Sequence, residues 1–243
     1  MSSSSEVILR TRGLNRDFGG VHALRHADLD VQRGKITGLI GPNGSGKTTF
    51  FQVVSGMDQG GTGSVLFNET EILGKRPSQI YKLGLARTFQ LSQVFPAMTV
   101  LENLIVAGRN HDRRDRDRAV NLLKQVRMDA YADVMGSDLS YGQQRLVEFI
   151  RALMSEPSLL LLDEPAAGVN PTLRKVLWKM VRQMKALGTT VLIIEHDMHV
   201  IDDLCDEVYV LNEGEVIAQG AFETVREDRA VMEAYFGTAQ EEN

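Results

Sequence analysis

Short apolar runs bounded by turn-forming residues alternate with polar stretches over the first 75 positions, and this pattern predicts β-structure. The runs are Val7 to Arg12, Ala23 to Val31, Lys35 to Ile40 and Val65 to Asn68, with Arg33-Gly34 and Gly60-Gly61 as breaks. Antiparallel hairpins are expected here, and the strand ending at Ile40 feeds directly into a glycine-rich segment. From about Gln90 to Pro157 the period changes to that of a helix. Thr99-Val-Leu-Glu102 and Ser140-Tyr-Gly-Gln143 have the spacing of capping boxes, in which hydroxyl and carboxamide or carboxylate satisfy the first backbone N–H groups of a helix reciprocally. After the second box, Leu146, Phe149, Ile150 and Leu153 recur at three- and four-residue spacing until Pro157. Beyond it, Leu159 to Leu162 and Val191 to Ile194 are continuous apolar runs, as strands covered on both faces require. Between them Asn170-Pro171 opens a helix, and Asn212-Glu213-Gly214 centres a last hairpin from Val208 to Ile217.

The 243 residues are 43% hydrophobic and 24% charged, enough apolar surface for a real core, and no linker-like stretch divides the chain, so one unit is expected. A net charge of −5 opposes a large nucleic-acid footprint. The basic run from Arg109 to Arg118 is interleaved with Asp112, Asp115 and Asp117 and is expected to be a solvated surface segment. The lone Cys205 excludes an internal disulfide, fits a reducing compartment and is expected to pack as a small hydrophobe. Met1 to Glu6 lacks the layout of a secretory leader, and no apolar run approaches the length of a membrane span. A cytoplasmic protein is expected, with any membrane contact made through a partner.

Gly41-Pro42-Asn43-Gly44-Ser45-Gly46-Lys47-Thr48-Thr49 contains G-x-x-x-x-G-K-[ST], preceded by the strand from Thr37 to Ile40 and followed by a predicted helix. The glycines let backbone N–H groups curl around phosphates at the positive end of that helix. Lys47 then reaches the terminal phosphates and Thr48 supplies a hydroxyl to Mg²⁺. Asp163 and Glu164 end an apolar strand, an arrangement suited to holding a metal ion with Asp163 and orienting an attacking water with Glu164. A phosphate-loop NTPase of the α/β class follows, its cofactors ATP and Mg²⁺, with a central mainly parallel sheet, an N-terminal antiparallel β subdomain and an inserted helical subdomain.

Leu139-Ser140-Tyr141-Gly142-Gln143 is a second potential anion site at a helix N-terminus, and it resembles the signature motif of the ATP-binding cassette family. The match covers residues 6 to 237. The resemblance implies a RecA-like core over 6–89 and 158–220, a helical subdomain over about 90–157 and a C-terminal helix over about 221–237. It also implies that Ser140, Gly142 and Gln143 face the phosphate loop of another subunit, in a homodimer or a heterodimer with a related ATPase. Phe18 resembles the aromatic that stacks on adenine, and Gln90 the loop glutamine that reaches the metal and moves with the transporter interface. His196 resembles the switch histidine that contacts the γ-phosphate. Asn170 stands where many members carry Asp and doubles as a helix cap. The catalytic set is thus Glu164, His196 and Lys47, and the metal set Thr48, Gln90 and Asp163.

Leu85-Ala-Arg-Thr-Phe-Gln90, Phe95-Pro-Ala-Met-Thr-Val-Leu-Glu-Asn103, Glu164-Pro-Ala-Ala-Gly168, Glu195-His-Asp-Met198 and Glu233-Ala-Tyr-Phe-Gly237 are similar to importer ATPases for branched-chain amino acids and for urea or short amides. The segment between Asn103 and Leu139 is shorter than expected of the branched-chain branch, so the urea or amide alternative stays open. The resemblance implies membrane-spanning permease subunits as partners and a peripheral position on the inner face of the cell membrane. Val94-Phe95-Pro96 is the candidate docking loop. Against rival classes, no tandem repeat or heptad run suggests a non-transport member, and Asn212-Glu213-Gly214 lacks the Lys and Asp of a guanine-reading loop. A small-molecule kinase has no use for residues 139–143, and a non-catalytic binding module has no use for Lys47, Asp163, Glu164 and His196 together.

Overall fold

A computed structural model describes residues 6–88, 94–109 and 112–236. The chain opens with the long strand β1 (Val7–Phe18), followed by β2 (Val21–Leu24) and β3 (Leu29–Gln32), both antiparallel to β1. Ala23 to Val31, expected as one run, is therefore two strands. The break falls at His26, whose backbone is left-handed (φ 45°) and whose N–H donates to Asn15 Oδ1 at 3.0 Å. Next come β4 (Ile36–Ile40), α1 (Lys47–Val54), β5 (Thr62–Phe67), which pairs antiparallel with β1, and β6 (Thr70–Glu71).

Two short elements then appear that the periodicity does not announce, α2 (Pro77–Lys82) and β7 (Leu85–Arg87). Six and three residues are too few to establish a period, and proline in the first turn starts α2. The helical stretch comprises α3 (Val100–Ile105), α4 (Arg113–Gln125) and α5 (Tyr141–Leu153), and both expected capping boxes form, at Thr99 and at Ser140. The remainder alternates β8 (Leu159–Asp163), α6 (Pro171–Ala186), β9 (Thr190–Ile194), α7 (Met198–Leu204), β10 (Glu207–Asn212), β11 (Glu215–Gly220), α8 (Phe222–Val225) and α9 (Arg229–Phe236). The expected closing hairpin is that of β10 and β11.

The central sheet has the order β11-β10-β4-β9-β8-β7, parallel throughout except for the antiparallel edge pair β10–β11. Every residue of β4, β8 and β9 is buried, which accounts for the continuous apolar runs Leu159 to Leu162 and Val191 to Ile194, while β4 buries Thr37 and Gly38 between its apolar residues. Alternation along β8 divides the core in two. Leu159 and Leu161 join Phe50 and Phe51 of α1, while Leu160 and Leu162 join Leu146, Val147 and Ile150 of α5 and Leu177 and Val181 of α6. Each leucine of β8 is fully buried, a contribution of about 1.5–3 kcal/mol per side chain. Parallel strands bring the C-terminal ends of β4, β8 and β9 to one edge of the sheet, where the segments carrying Lys47, Glu164 and His196 begin.

The segment Arg109 to Arg118 is more than a solvated surface. Asp112 caps α4 by accepting from Arg114 N at 2.8 Å, and Asp115 is buried. Arg109 Nε donates to the Ser155 carbonyl at 2.6 Å and Arg118 Nη2 to that of Leu153 at 2.9 Å, so these cations bind carbonyls at the end of α5. No helix among the described residues is long and apolar enough to cross a membrane.

Cys205 packs behind β4, its sulfur close against Gly38, where an added Cβ would come within 3.1 Å of it. Burial pushes its thiol pKa up to about 12 from 9.0. The unfolded chain therefore loses this proton before the folded one, so the linked stability falls as pH rises between those values. At pH 8, iodoacetamide should label Cys205 in the folded protein at least about 100-fold more slowly than in the denatured chain. Equal labelling rates, followed by mass spectrometry, would contradict this packing.

Candidate active site

Gly41 and Gly46 make the phosphate loop possible. A Cβ at Gly41 (φ 150°) would overlap the Leu211 carbonyl oxygen of β10, and one at Gly46 (φ 105°) the Ala23 carbonyl oxygen of β2. The loop is thus pressed against two strands, and Gly214 N donates to Ser45 O at 2.9 Å as a further tether. Lys47 is the first residue of α1 and is buried. Its ammonium donates to the carbonyls of Gly41 and Pro42, each at 2.8 Å, and to Ser45 Oγ at 3.3 Å. Burial pushes the Lys47 pKa down, with the charges of Glu164 and Asp163 opposing, so the ammonium lies within the field of both carboxylates. Asn43, Gly44 and Thr48 are exposed, while Pro42 and Thr49 are half-buried, which leaves the helix N-terminus open to an anion.

Asp163 ends β8 almost completely buried, at 1% exposure. Arg87, at the end of the adjacent β7, donates from Nη2 to Asp163 Oδ2 at 2.8 Å and from Nη1 to Ser55 Oγ at 3.0 Å. Burial pushes the Asp163 pKa up, opposed chiefly by Arg87. Asp163 Oδ1 is buried and has no hydrogen-bond partner.

Glu164 follows in a left-handed conformation (φ 46°), which for a side chain branched only beyond Cβ still costs of order 1–3 kcal/mol. The turn is held from two sides. Glu164 N donates to Ile194 O of β9 at 3.0 Å, and Arg145 Nη2 of α5 donates to Glu164 O at 3.1 Å. The strain turns the carboxylate toward the end of β9, and Glu164 Oε1 lies 2.7 Å from His196 Nε2. His196 is exposed and Glu164 only partly so, and a reactant can therefore reach the pair.

Ser140 caps α5, accepting from Gln143 N at 3.4 Å, while Gln143 Oε1 accepts from Ser140 N at 2.9 Å. Ser140 and Tyr141 are exposed, and Gly142 and Gln143 are half-buried. Gly142 lies against Leu173 of α6, and Tyr141 covers Gly168. The structure thus gathers Lys47, Asp163, Glu164 and His196 at one edge of the sheet and packs the Ser140 turn against 168–173. Asn170 caps α6, accepting from Leu173 N at 3.0 Å. Phe18 is an exposed side chain at the end of β1, and the Arg16 guanidinium sits 4.1 Å over its ring while bonded to Asp58 at 2.7 Å. Gln90 lies outside the described residues.

A family model described as ABC transporter matches residues 24–167, and a second, described as branched-chain amino acid ATP-binding cassette transporter, matches residues 215–241. The chain belongs to the ABC transporter family. Its relatives include the probable branched-chain amino acid transport ATP-binding protein LivG of Archaeoglobus fulgidus, 37% identical over 97% of each chain. The high-affinity branched-chain amino acid transport ATP-binding proteins LivG of Escherichia coli and BraF of Pseudomonas aeruginosa are each 35% identical over 97% of this chain and 100% of theirs. Among solved structures, a nucleotide-free ATP-binding cassette from an ABC transporter superposes with a TM-score of 0.86 at 34% identity, over 96% of this chain and 100% of that one. An ATP-binding cassette in its ADP conformation gives 0.86 at 36%, over 96% and 99%. This ABC protein is an ATP-binding, ATP-hydrolysing subunit.

Two residues of this ABC ATPase hold the site without standing out in its sequence, Arg87 on the Asp163 carboxylate and Arg145 on the Glu164 carbonyl. The available signal was charge in the wrong place. Arg145 and Glu148 sit on the face of α5 that otherwise buries apolar residues, and they pair at 2.9 Å. Arg87→Met should leave Asp163 as an uncompensated buried carboxylate and destabilise the protein by about 3–5 kcal/mol in denaturant unfolding. Adding Asp163→Asn should recover most of that loss. Strict additivity of the two changes would mean that the ion pair does not govern this site.

Proposed function

We propose that this chain is the nucleotide-binding subunit of an importer for branched-chain amino acids, acting as one of a pair of cassettes beneath membrane-spanning permease subunits on the cytoplasmic face of the membrane. The observation that carries the cargo assignment is the match of residues 215–241 to the branched-chain cassette model, in agreement with the LivG and BraF relatives. In this reading 6–89 and 158–220 form the nucleotide core and about 90–157 a helical arm, while the expected single C-terminal helix over about 221–237 is instead two short helices, α8 and α9, broken between Val225 and Arg229.

In hydrolysis, the loop from Gly41 to Thr49 holds the phosphates of ATP, and the Lys47 ammonium exchanges its carbonyl partners for phosphate oxygens. Phe18 offers the adenine the ring face that Arg16 does not cover. Glu164 orients the attacking water and accepts its proton as the new O–P bond forms and the bond to the β-phosphate oxygen breaks. His196 holds Glu164 through the 2.7 Å contact, which supports its role as the histidine that contacts the γ-phosphate. The donor set fits Mg²⁺: Asp163 Oδ1 is buried without a partner, and Thr48 offers an exposed hydroxyl. When bound, the ion neutralises charge on the β- and γ-phosphates. Thr48, Asp163 and Gln90 would hold the ion, with phosphate oxygens and water supplying its remaining ligands. Ser140, Gly142 and Gln143 of a second cassette close over the γ-phosphate, and Ser140 is suitably exposed.

Coupling to the permease runs through Phe95. Phe95 is 47% exposed, the Arg151 guanidinium lies 5.2 Å over its ring, and buried Asn103 pins its backbone through both N–H (2.8 Å) and C=O (3.0 Å). A groove of about 630 Å³ next to Arg151, lined also by Tyr81, Leu85 and Ala107, suits a short amphipathic helix of the permease.

With Mg-ATP, Glu164→Gln should elute from size exclusion as a dimer and hydrolyse at least about 100-fold more slowly than wild type. A persistent monomer in both proteins would redirect the search to a different partner ATPase, and undiminished turnover in Glu164→Gln would refute its assigned role. In vesicles holding the whole transporter, Phe95→Ala should lower leucine taken up per ATP hydrolysed, with hydrolysis by the isolated subunit unchanged. Uptake of urea in place of leucine would overturn the cargo.

A further inference from the structure

Glu195 follows β9 directly and is only 7% exposed, yet hydrolysis as described makes no use of it. Among the described residues no cation forms a salt bridge with it; its partners are two backbone N–H groups from different loops. Oε1 accepts from Ala166 N at 3.3 Å, and Oε2 accepts from His196 N at 3.2 Å. Ala166 belongs to the turn that begins at strained Glu164 and closes with Ala167 N donating to Glu164 O at 3.1 Å. One carboxylate therefore bridges the backbone of the histidine loop and the backbone of the glutamate loop.

The chemistry of the bridge explains why an acid occupies a nearly dry position. Both partners are donors, and a carboxylate is acceptor-only at both oxygens, whereas a glutamine would turn its NH₂ toward one of the N–H groups. Burial pushes the Glu195 pKa up, and the two N–H donors oppose the shift. A residue needed only for packing would have been apolar here, as its four predecessors in β9 are.

We propose that Glu195 is a positioning residue for ATP hydrolysis, fixing His196 and the Glu164 turn relative to one another so that the Glu164–His196 pair keeps its geometry. The inference rests on the roles proposed above for Glu164 and His196. Through Ala166 the same carboxylate also restrains the segment leading to Gly168, on which Tyr141 of the signature turn packs. A change at the γ-phosphate sensed by His196 is thereby transmitted to the turn at Ser140 by two short steps of backbone.

The test is steady-state ATP hydrolysis by the full chain. Glu195→Gln should lower kcat by about 10- to 100-fold, as displacement of reacting groups by a fraction of an ångström does, with KM for ATP within about twofold of wild type. Glu195→Asp, which retains two acceptors, should recover part of the rate, and it carries the test if the glutamine variant does not fold. In a His196→Ala background, Glu195→Gln should cost less than about twofold, because the group it positions is gone. A purely structural role would instead multiply with His196→Ala and raise KM, and that result, or wild-type kcat in Glu195→Gln, would overturn the proposal. Glu164→Gln serves as the control. Inactivity there with a fully active Glu195→Gln defeats this inference alone, whereas full activity in Glu164→Gln defeats the reading beneath it.

Discussion

Burial of β4, β8 and β9 on both faces is the constraint from which the rest of the molecule follows. Strands covered on both sides are mostly apolar, with Thr37 of β4 a buried exception, so charged chemistry is expelled to their ends. Because the three are parallel neighbours, those ends share one edge, and the residues that follow each strand converge without any long-range search. Gly41 begins directly after β4, Asp163 closes β8, and Glu195 and His196 follow β9. The glycines of the phosphate loop answer the same constraint, since the loop has to turn sharply between the Leu211 and Ala23 carbonyls.

Convergence of acids at a dry edge is electrostatically costly, and the structure offsets it with cations and N–H groups drawn from other elements. Arg87 neutralises Asp163, Lys47 lies in the field of both Asp163 and Glu164, and Arg145 caps the Glu164 carbonyl from the signature helix. Glu195 is satisfied by backbone alone. Strain at Glu164 persists because its N–H, its C=O and its carboxylate are each held by a different partner: Ile194, Arg145 and His196.

The helical stretch meets this edge through α5, whose apolar face packs on Leu160 and Leu162 while Arg145 reaches the Glu164 turn. Movement of α5 is therefore felt at the carboxylate. On its outer side the same stretch exposes Phe95 on a loop whose backbone is tied to α3 by four hydrogen bonds of Asn103.

What the sequence by itself determined is local. Gly41 to Thr48 between strand and helix, the capping boxes at Thr99 and Ser140, the Asn170-Pro171 helix start and the buried strand from Leu159 are legible because each depends on spacings within a turn or a single strand. The boundaries it missed, at His26, α2 and β7, are those where elements are too short for a period or where a distant side chain bends the chain. Tertiary structure alone decided the electrostatics of the site. Arg87 and Asp163 are 76 residues apart, Arg16 and Asp58 are 42, Glu195 and Ala166 are 29, and Arg145 and Glu164 are 19. No local pattern encodes such pairs: they exist because the fold brings distant parts of the chain together, as the strand order β4-β9-β8-β7 does for Arg87 with Asp163 and for Glu195 with Ala166, and burial strengthens the pairs it encloses.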